Sequence, residues 1–364
     1  MTRPLRILMA NDTLDVGGSQ RVTVSLSEGL ARRGHRVVVM AEPGGELWDE
    51  LPDGVGRITA PPRRTPGQRL RYLRLLARLV RSGEFDLVHA HQRAIALQAR
   101  VARVGTGVRV VEHVHSLFRA DHPVKALVSF RGDRLVACGR GPAEMLVREF
   151  GRSPERITTV PNGVRDLSGG VPTPPPASTG RMPRVVVLGR ATDIKDPLRF
   201  VEVIADLNAG RQRVEAVWVG DGDLLERCRE EVRRRGVPGL TFVGARSDVR
   251  PELDRADLVM LTSRQEGLPL SLLEAASMGR ALAAPDLGSC GDVVRDGVTG
   301  VLFDPGSSPA EIAARLEVVL DGPTLRAMGE ASRQVYLDRY GIERWVDAVE
   351  EVYRDAVAGS VERV

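Results

Sequence analysis

Two glutamates, Glu266 and Glu274, are separated by seven residues in the segment EGLPLSLLE. A strand-like run at 257–262 precedes this segment, and Gly267 and Pro269 then break the strand and begin a helix, because proline suits the first helical turn. We therefore expect Glu266 in the loop and Glu274 about one turn into a helix whose other residues are small and apolar. A carboxylate in such surroundings needs hydrogen-bond donors.

The start of this helix offers a second kind of binding group. Backbone N–H groups around Leu270 and Ser271 would be unpaired at a positive helix end, which favours a phosphate or a sugar hydroxyl. One hydroxyl-rich ligand could satisfy both glutamates while the helix start holds an anion between them, and a nucleotide sugar has this chemistry. The competing interpretation is an exposed loop glutamate and a structural helix glutamate, because such a spacing is common by chance.

Two further candidates, Arg190 and Lys195, carry positive charge. They follow a strand-like run at 184–188 in the pattern Gly-Arg-x4-Lys-Asp-Pro, and Lys195 is one of only two lysines in the chain. Cleavage of a nucleotide sugar builds negative charge on the leaving diphosphate, which preorganised cations at a strand end would stabilise. Without this context, each residue would more often be a solvated surface charge.

Composition limits the classes to which the chain can belong. Its 364 residues predict two domains, and 42% hydrophobic residues can supply ordinary cores. No apolar run approaches the ~20 residues of a membrane span, and the amino terminus lacks a signal-peptide pattern. Three scattered cysteines fit a reducing cytoplasm, where we expect the protein to act. A net charge of +4 does not predict nucleic-acid binding without a localised patch.

Strands and helices alternate along the chain, which predicts parallel, doubly wound sheets. The first βαβ unit contains the turn Gly17-Gly18, which lets backbone approach a phosphate closely but lacks the GxGxxG pattern of a nicotinamide site. Residues 169–183 are rich in Gly, Pro and Ser, and we interpret them as a linker. The linker separates a domain of residues 1–168 from a domain of residues 184–342.

Residues 67–82 predict a basic amphipathic helix. We favour a core-facing helix with a solvated arginine face, and contact with an anionic membrane surface is the alternative. The expected apolar stripe consists of Leu70, Leu73, Leu76 or Ala77, and Val80.

All six histidines precede residue 123. His89 and His91 share one face of a strand, as do His113 and His115 on the next strand. Two such pairs could bind a metal ion. Histidines near the carboxyl ends of neighbouring strands are also where an α/β sheet places its cleft, and we favour that interpretation and predict no metal site.

The order of these motifs resembles the retaining family 4 glycosyltransferases over almost the whole chain. Pro269 departs from the family pattern, in which a glycine is frequent at this position. The segment Gly288-Ser289-Cys290-Gly291-Asp292 also replaces the more usual Gly-Gly-x-x-Glu, which leaves the donor sugar open. The shared markers are Gly17-Gly18, Asn162-Gly163, Arg190 with Lys195, Gly220-Asp221-Gly222, Phe242-Val243-Gly244, Glu266 with Glu274, and Gly297-x-x-Gly300.

The resemblance implies an α/β GT-B fold, in which two Rossmann-like doubly wound parallel-sheet domains face a cleft. The acceptor would bind against the amino-terminal domain, and the nucleotide-sugar donor against the carboxyl-terminal domain. A carboxyl-terminal helix at about 343–364 would cross back to the first domain. The implied reaction is retaining, metal-independent transfer of a sugar from a nucleotide-diphosphate-sugar, above all a UDP-sugar, to a hydroxyl. The acceptor is open between an aminocyclitol, another sugar and a lipid-linked head group.

The resemblance also implies individual roles. Glu266 would bind donor-sugar hydroxyls, Glu274 the ribose, and Arg190 with Lys195 the diphosphate. A histidine would contact the donor sugar, for which His115 is our choice and His113 the fallback. The predicted catalytic residues are Arg190, Lys195, His115 and Glu266. The predicted donor-binding residues are Gly17, Gly18, Gly189, Arg190, Lys195, Gly244, Arg246, Glu266, Gly267, Leu268, Pro269, Leu270 and Glu274.

No cofactor other than the nucleotide-sugar co-substrate is expected. A non-catalytic nucleotide-sugar-binding subunit is one alternative function. The other is a sugar-nucleotide 2-epimerase, which shares the fold but would lack the glutamate pair.

Overall fold

Two parallel β-sheets organise the chain. The structure, a computed structural model, describes residues 3–170 and 181–359. Strand order is β3-β2-β1-β4-β5-β6-β7 in the first sheet and β10-β9-β8-β11-β12-β13 in the second. The strands are β1 Arg6–Ala10, β2 Arg36–Ala41, β3 Gly56–Thr59, β4 Leu87–Ala90, β5 Arg109–Val114, β6 Arg134–Ala137, β7 Ile157–Thr159, β8 Arg184–Leu188, β9 Glu215–Val219, β10 Leu240–Phe242, β11 Leu258–Met260, β12 Ala281–Pro285 and β13 Gly300–Phe303.

Helices connect the strands, as parallel pairing requires. The helices of the first half are α1 Gly18–Arg32, α2 Pro66–Arg81, α3 Arg93–Ala102, α4 Pro123–Val128 and α5 Arg140–Arg148. Those of the second half are α6 Pro197–Leu207, α7 Leu225–Arg235, α8 Arg250–Arg255, α9 Leu270–Ser277, α10 Cys290–Val293, α11 Pro309–Glu317, α12 Gly322–Arg339 and α13 Ile342–Ala358. The predicted architecture of two Rossmann-like parallel-sheet domains is confirmed.

The chain divides into two compact units. The first unit joins the part up to Asn162 to the part from Ile342 onward, and the second spans Gly163–Gly341. Helix α13 packs on the first unit, where its Val346 contacts α1 so closely that a Cβ on Gly29 would lie 2.5 Å from Val346 Cγ2. Among the described residues, no helix is long and apolar enough to cross a membrane.

The division between the units differs from the sequence-based boundary at residue 168. Residues 163–168 lie in the second unit, because Val164 N donates to Tyr340 O (3.0 Å) and the Asp166 carboxylate pairs with Arg333 (2.6 Å). The predicted linker, 169–183, falls largely on residues 171–180, which lie outside the described part of the chain.

Helix α2 faces the core of the first unit, but its stripe differs from the predicted one. Leu76 and Val80 are buried as expected, whereas Leu70 is 45% exposed. Tyr72 is buried instead, and its hydroxyl donates to Asn11 O (2.8 Å). Tyr72 therefore packs inward where we expected Leu70, because its hydroxyl reaches a buried backbone acceptor.

Candidate functional site

The loops that follow β8 and β11 lie side by side, because these strands are neighbours at the crossover of the second sheet. In doubly wound sheets, ligands bind outside the carboxyl ends of the strands at this point. The loops comprise residues 189–196 and 261–269. Thr262 Oγ1 donates to the carbonyl oxygens of Lys195 (3.1 Å) and Asp196 (2.9 Å), which joins the two loops directly.

Lys195 and Glu266, each predicted to bind a different part of the donor, form an ion pair in the structure. Lys195 Nζ lies 2.5 Å from Glu266 Oε1, and the two side chains are 27% and 7% exposed. A buried carboxylate without a partner would be strongly destabilised, and Lys195 supplies that partner. The ammonium keeps further donors for a second acceptor, because Lys has three N–H groups.

Asp196 fixes the backbone beside this pair in a strained conformation. Its φ of 47° and ψ of 61° lie in the left-handed region, which costs a non-glycine residue roughly 1–3 kcal/mol. Its carboxylate compensates by accepting from Arg199 N at the start of α6 (3.4 Å) and from Arg264 Nε (2.8 Å). Arg264 N also donates to Ile194 O (2.8 Å), so the loop that carries Lys195 is held on both sides.

Arg190 lies on the same loop but is exposed, and within the described part of the chain its side chain has no hydrogen-bond or ion-pair partner. The backbone around it is fixed, since Gly189 N donates to Val219 O (3.0 Å) and Ala191 N to Asp221 O (2.9 Å). A Cβ on Gly220 would lie 2.1 Å from Gly189 O, so only glycine permits this close approach. A guanidinium on a fixed backbone is therefore available to an anionic ligand.

A third loop, after β10, is attached to the same turn. Gly220 N donates to Gly244 O (2.9 Å), and the Asp221 carboxylate accepts from Ala245 N (3.0 Å). The exposed Arg246 therefore belongs to a loop that is tied to the one carrying Arg190. Asp221 is the first acid of an Asp-x-Asp sequence, Asp221-Gly222-Asp223. Its carboxylate makes this structural hydrogen bond.

Helix α9 begins after Pro269 without a side-chain cap, as the sequence indicated. The N–H groups of Leu270 and Ser271 have no acceptor among the described residues. Gly288, with φ +57°, packs so closely on the preceding loop that a Cβ there would lie 2.2 Å from Glu266 O. Glu274 is half-buried within α9. The two unpaired N–H groups and the two carboxylates are thus arranged around one helix start.

The first unit has a different group beside the crossover of its sheet, at the carboxyl ends of β4 and β5. His89 on β4 and His91 just after it stack at 4.4 Å between ring centroids, and His113 on β5 and His115 just after it stack at 4.1 Å. His91 Nδ1 lies 2.9 Å from His115 Nε2. His89 Nδ1 lies 2.5 Å from the hydroxyl of Tyr353 on α13. We refer to His89, His91, His113 and His115 as the histidine cluster.

Burial keeps the histidine cluster uncharged. It lowers the pKa of His89 and of His115 to about 3, and it lowers the pKa of His91 and of His113 well below the usual range. Neighbouring imidazoles lower the pKa of His89, His91 and His113 further, because one protonated ring would repel the next. At neutral pH, the cluster therefore offers nitrogen lone pairs and N–H donors without net charge.

A pocket of about 480 Å³ adjoins the cluster within the first unit. Its lining includes His115, the two cationic side chains of Arg93 and Lys125, and Glu112. The Arg93 guanidinium lies over the Phe118 ring at 4.3 Å, and burial raises the pKa of Glu112 to about 7. Sequence analysis missed this lining, although an acid inside the apolar strand β5 and the rarity of lysine were both visible signals.

The predicted site residues are distributed between the two units. Gly17, Gly18 and His115 lie in the first unit, where Gly17 is in extended conformation (φ −171°) immediately before α1. The second unit contains the remaining predicted residues, on the loops after β8, β10 and β11 and on helix α9. These residues are Gly189, Arg190, Lys195, Gly244, Arg246, Glu266, Gly267, Leu268, Pro269, Leu270 and Glu274.

Two Rossmann-like units, each built on a parallel sheet, make up the GT-B fold. HepE of Anabaena, solved in complex with UDP, has this fold with a TM-score of 0.80 at 19% identity, covering 96% of this chain and 100% of that chain. Residues 16–166 match the family model "Glycosyltransferase Family 4", and residues 182–322 match "Glycosyl transferases group 1". The chain belongs to the family 4 glycosyltransferases, and the sequence-based recognition is confirmed.

Curated relatives match over most of their length. The chain is 24% identical over 375 residues to the UDP-Gal:alpha-D-GlcNAc-diphosphoundecaprenol alpha-1,3-galactosyltransferase of Escherichia coli, covering 94% of this chain and 95% of that protein. It is 28% identical over 400 residues to the D-inositol 3-phosphate glycosyltransferase of Geodermatophilus obscurus, covering 94% and 85%.

Proposed function

We propose that this glycosyltransferase moves a sugar from a UDP-sugar to a hydroxyl acceptor with retention of the anomeric configuration. The observation that carries the proposal is the arrangement at the crossover of the second sheet. There, an exposed arginine, a lysine paired with a buried glutamate and two unpaired helix N–H groups converge on neighbouring loops. UDP is the proposed nucleotide because the name of the Escherichia coli relative contains a UDP-sugar and HepE was solved with UDP.

Each part of the donor has a proposed partner. The diphosphate contacts Arg190, Lys195 and the N–H groups of Leu270 and Ser271, while Glu266 accepts from sugar hydroxyls and Glu274 from the ribose. The Lys195–Glu266 pair supports this assignment, because it holds a cation and an acceptor in fixed relation before the donor binds. Preorganisation of this kind avoids a reorganisation cost during the reaction.

The proposed reaction requires no divalent metal ion. The negative charge that develops on the departing UDP is stabilised by the guanidinium of Arg190 and the ammonium of Lys195. An Asp-x-Asp sequence could hold a metal-bound diphosphate. In this chain its first acid, Asp221, instead uses its carboxylate to accept from Ala245 N. Turnover should therefore persist in EDTA.

Retention follows from the roles given to the two glutamates. Double displacement needs a carboxylate nucleophile at the anomeric carbon, but Glu266 is held by Lys195 and Glu274 is assigned to the ribose. The acceptor hydroxyl therefore attacks from the face that UDP leaves. The anomeric C–O bond to UDP breaks, the bond to the acceptor oxygen forms, and a leaving phosphate oxygen takes the acceptor proton.

We place the acceptor in the pocket of the first unit. Arg93 and Lys125 in its lining favour an acceptor that carries a phosphate or diphosphate group. The names of two relatives contain such compounds, D-inositol 3-phosphate in one and a diphosphoundecaprenol-linked sugar in the other. The contribution of Gly17, Gly18 and His115 to donor binding stays a prediction.

Incubation of the purified chain with panels of UDP-sugars and acceptors, followed by mass spectrometry, tests the proposal. A glycosylated acceptor together with UDP is expected. Donor binding without turnover would identify a non-catalytic binding subunit, and a donor epimerised without an acceptor would identify an epimerase. Proton NMR of the fresh product gives the anomeric coupling, and an inverted configuration would reject the front-face route.

A further inference from the structure

The histidine cluster contains more unpaired nitrogen than a buried group of this size normally holds. His89, His91 and His113 are 0%, 5% and 3% exposed. Each offers a ring nitrogen, and these nitrogens all lie within 4.8 Å of one another. The nitrogens without a hydrogen-bond partner are Nε2 of His89, Nε2 of His91 and both ring nitrogens of His113. Buried polar atoms without partners are rare in native proteins, so each calls for an explanation.

The existing hydrogen bonds show which nitrogens are left for an ion. His89 uses Nδ1 for the hydroxyl of Tyr353, and His91 uses Nδ1 for His115 Nε2. In both residues the opposite nitrogen, Nε2, has no hydrogen-bond partner and is left to bind an ion. Metal-ligating histidines typically have one nitrogen held by an outer partner while the other binds the ion.

We propose that His89, His91 and His113 bind a first-row transition metal ion of the Zn²⁺ class. Imidazole nitrogen suits this class, and three histidines with one open position form a known type of zinc site. The pocket beside His91 and His113 gives access to the ion and room for a water or an anion at the fourth position.

Binding requires the rings to reorient, because His89 and His113 stack with only 8° between their planes and each ring's nitrogen lone pair lies in its own plane. Zn–N bonds of about 2.0–2.1 Å in tetrahedral geometry place the ligand nitrogens roughly 3.3 Å apart, which is closer than the upper bound of 4.8 Å in the cluster. Rotation of the imidazoles about their side-chain bonds can supply this change. An ion on His91 Nε2 also leaves the proton on Nδ1, which then donates to His115 Nε2. The ion would thereby fix the tautomer of His115.

This site is additional to the proposed sugar transfer, whose cations are Arg190 and Lys195. The test therefore reads metal binding directly. After treatment with EDTA and removal of the chelator, Zn²⁺ binding is measured by competition with a chromogenic chelator, and Co²⁺ binding by visible absorption. We expect one ion per chain, a tetrahedral Co²⁺ spectrum and a rise in Tm with Zn²⁺.

Three variants locate the ion. His113→Gln removes a ligand and should lower Zn²⁺ affinity by more than about 10²-fold, beyond the effect of an outer partner. Tyr353→Phe removes the hydroxyl that holds His89, and should lower affinity by about 10-fold to 100-fold. His122→Asn is the matched control, because His122 is exposed, lies outside the cluster and caps α4 as an asparagine can. It should bind as the parent does.

Two results would overturn the site. One is an EDTA-treated, folded chain that takes up no Zn²⁺ or Co²⁺. The other is His113→Gln, folded by circular dichroism, with the affinity of the parent; His91→Asn serves as the second ligand variant if His113→Gln does not fold. Loss of turnover in EDTA would instead refute the metal-independent mechanism and leave the binding result intact.

Discussion

The two sheets have nearly the same amino ends and very different carboxyl ends. In the first unit, Asp86 precedes β4 and its carboxylate accepts from Arg6 N (2.8 Å) and from the side chains of Arg3 and Arg6. In the second unit, Asp257 precedes β11 and its carboxylate accepts from Arg184 N (2.7 Å) and from Arg181 (2.7 Å). One carboxylate thus fastens the first strand of each sheet to the strand that follows the crossover.

The carboxyl ends of the strands at and beside the two crossovers present different side chains. The loops after β8 and β11 retain charge by pairing it, as Lys195 and Glu266 show. The ends of β4 and β5 instead contain imidazoles whose charge burial has removed. We refer to the bonds made by Asp86 and by Asp257 as the aspartate clamp of each sheet. The clamp recurs in both sheets and is structural, whereas the chemistry depends on the side chains at the carboxyl ends of the strands. Four predictions test this separation of structural and chemical ends.

The largest effect should come from Lys195→Ala at the charged carboxyl end. Loss of one preorganised donor to the leaving diphosphate should lower kcat by about 10²-fold or more. Steady-state kinetics with the identified UDP-sugar measures this effect. Arg227 is an exposed arginine on α7 of the same unit, and the control variant Arg227→Ala should have normal kcat. Near-normal kcat in a folded Lys195→Ala protein would show that Lys195 does not stabilise the leaving diphosphate.

Glu274→Ala and Glu266→Ala should separate the nucleotide from the sugar. A hydrogen bond to a charged group contributes about 1.5–3 kcal/mol, so Glu274→Ala should weaken UDP binding by that amount in calorimetry. Glu266→Ala should bind UDP as the parent does and bind the intact UDP-sugar less tightly. Equal UDP affinity in both variants would contradict the assignment.

The amino-end clamp should affect stability and its pH dependence. Paired arginines and the Arg6 N–H hold the pKa of Asp86 below its usual range, despite a burial effect in the opposite direction. The clamp therefore stabilises the fold above pH ~4 and loses its contribution as the pH falls further, because the unfolded state takes up the proton first. Since the Arg3 and Arg6 side chains are 61% and 40% exposed, Asp86→Asn should cost only about 1–2 kcal/mol at pH 7.

Urea unfolding of the parent and of Asp86→Asn at several pH values measures this contribution. The difference between the two proteins should shrink on acidification, and turnover of the folded variant should be unchanged. A constant difference from pH 7 to pH 3 would show that the carboxylate charge does not matter. Reduced kcat in the folded variant would show that the two ends of the sheet are not separable.

The smallest structural effect should come from Gly18→Ala. A Cβ on Gly18 would meet nothing within 4 Å, and Ala is favoured over Gly in a helix, so stability should change by no more than about 1 kcal/mol. Thermal unfolding checks this. If Gly18 contacts the donor phosphates as predicted, KM for the donor should rise in a protein of unchanged Tm. Unchanged kinetics would assign the glycine pair to helix initiation alone.

Much of the architecture follows from local signals. Valine-rich runs separated by helical periodicity predict the parallel sheets, since strands covered on both faces read as continuous apolar runs. The Gly-Arg-x4-Lys pattern and the Glu266–Glu274 segment also indicated two loops that bind different parts of one donor. The ion pair between Lys195 and Glu266 was not predicted, because it depends on which strands become neighbours at the crossover.

The errors have physical reasons of the same kind. Helical spacing alone does not distinguish Leu70 from Tyr72 as the inward residue, because the distant Asn11 carbonyl decides which is buried. The first unit ends at the Asn162-Gly163 turn, whereas the predicted boundary lay at residue 168, because Asp166 pairs with Arg333 of α12, which is far away in sequence. Tyr353 joins the histidine cluster from 264 positions beyond His89, and no local pattern connects them.

The return of α13 to the first unit also determines when that unit can fold during synthesis. Its buried Trp345, Val349 and Tyr353 leave the ribosome only after the whole second unit has been made. The amino-terminal unit is therefore translated first but completed last, in contrast to the usual order in which the first domain folds as it emerges. Until α13 arrives, the apolar face of α1 that it covers, including the surface around Gly29, depends on other protection from aggregation.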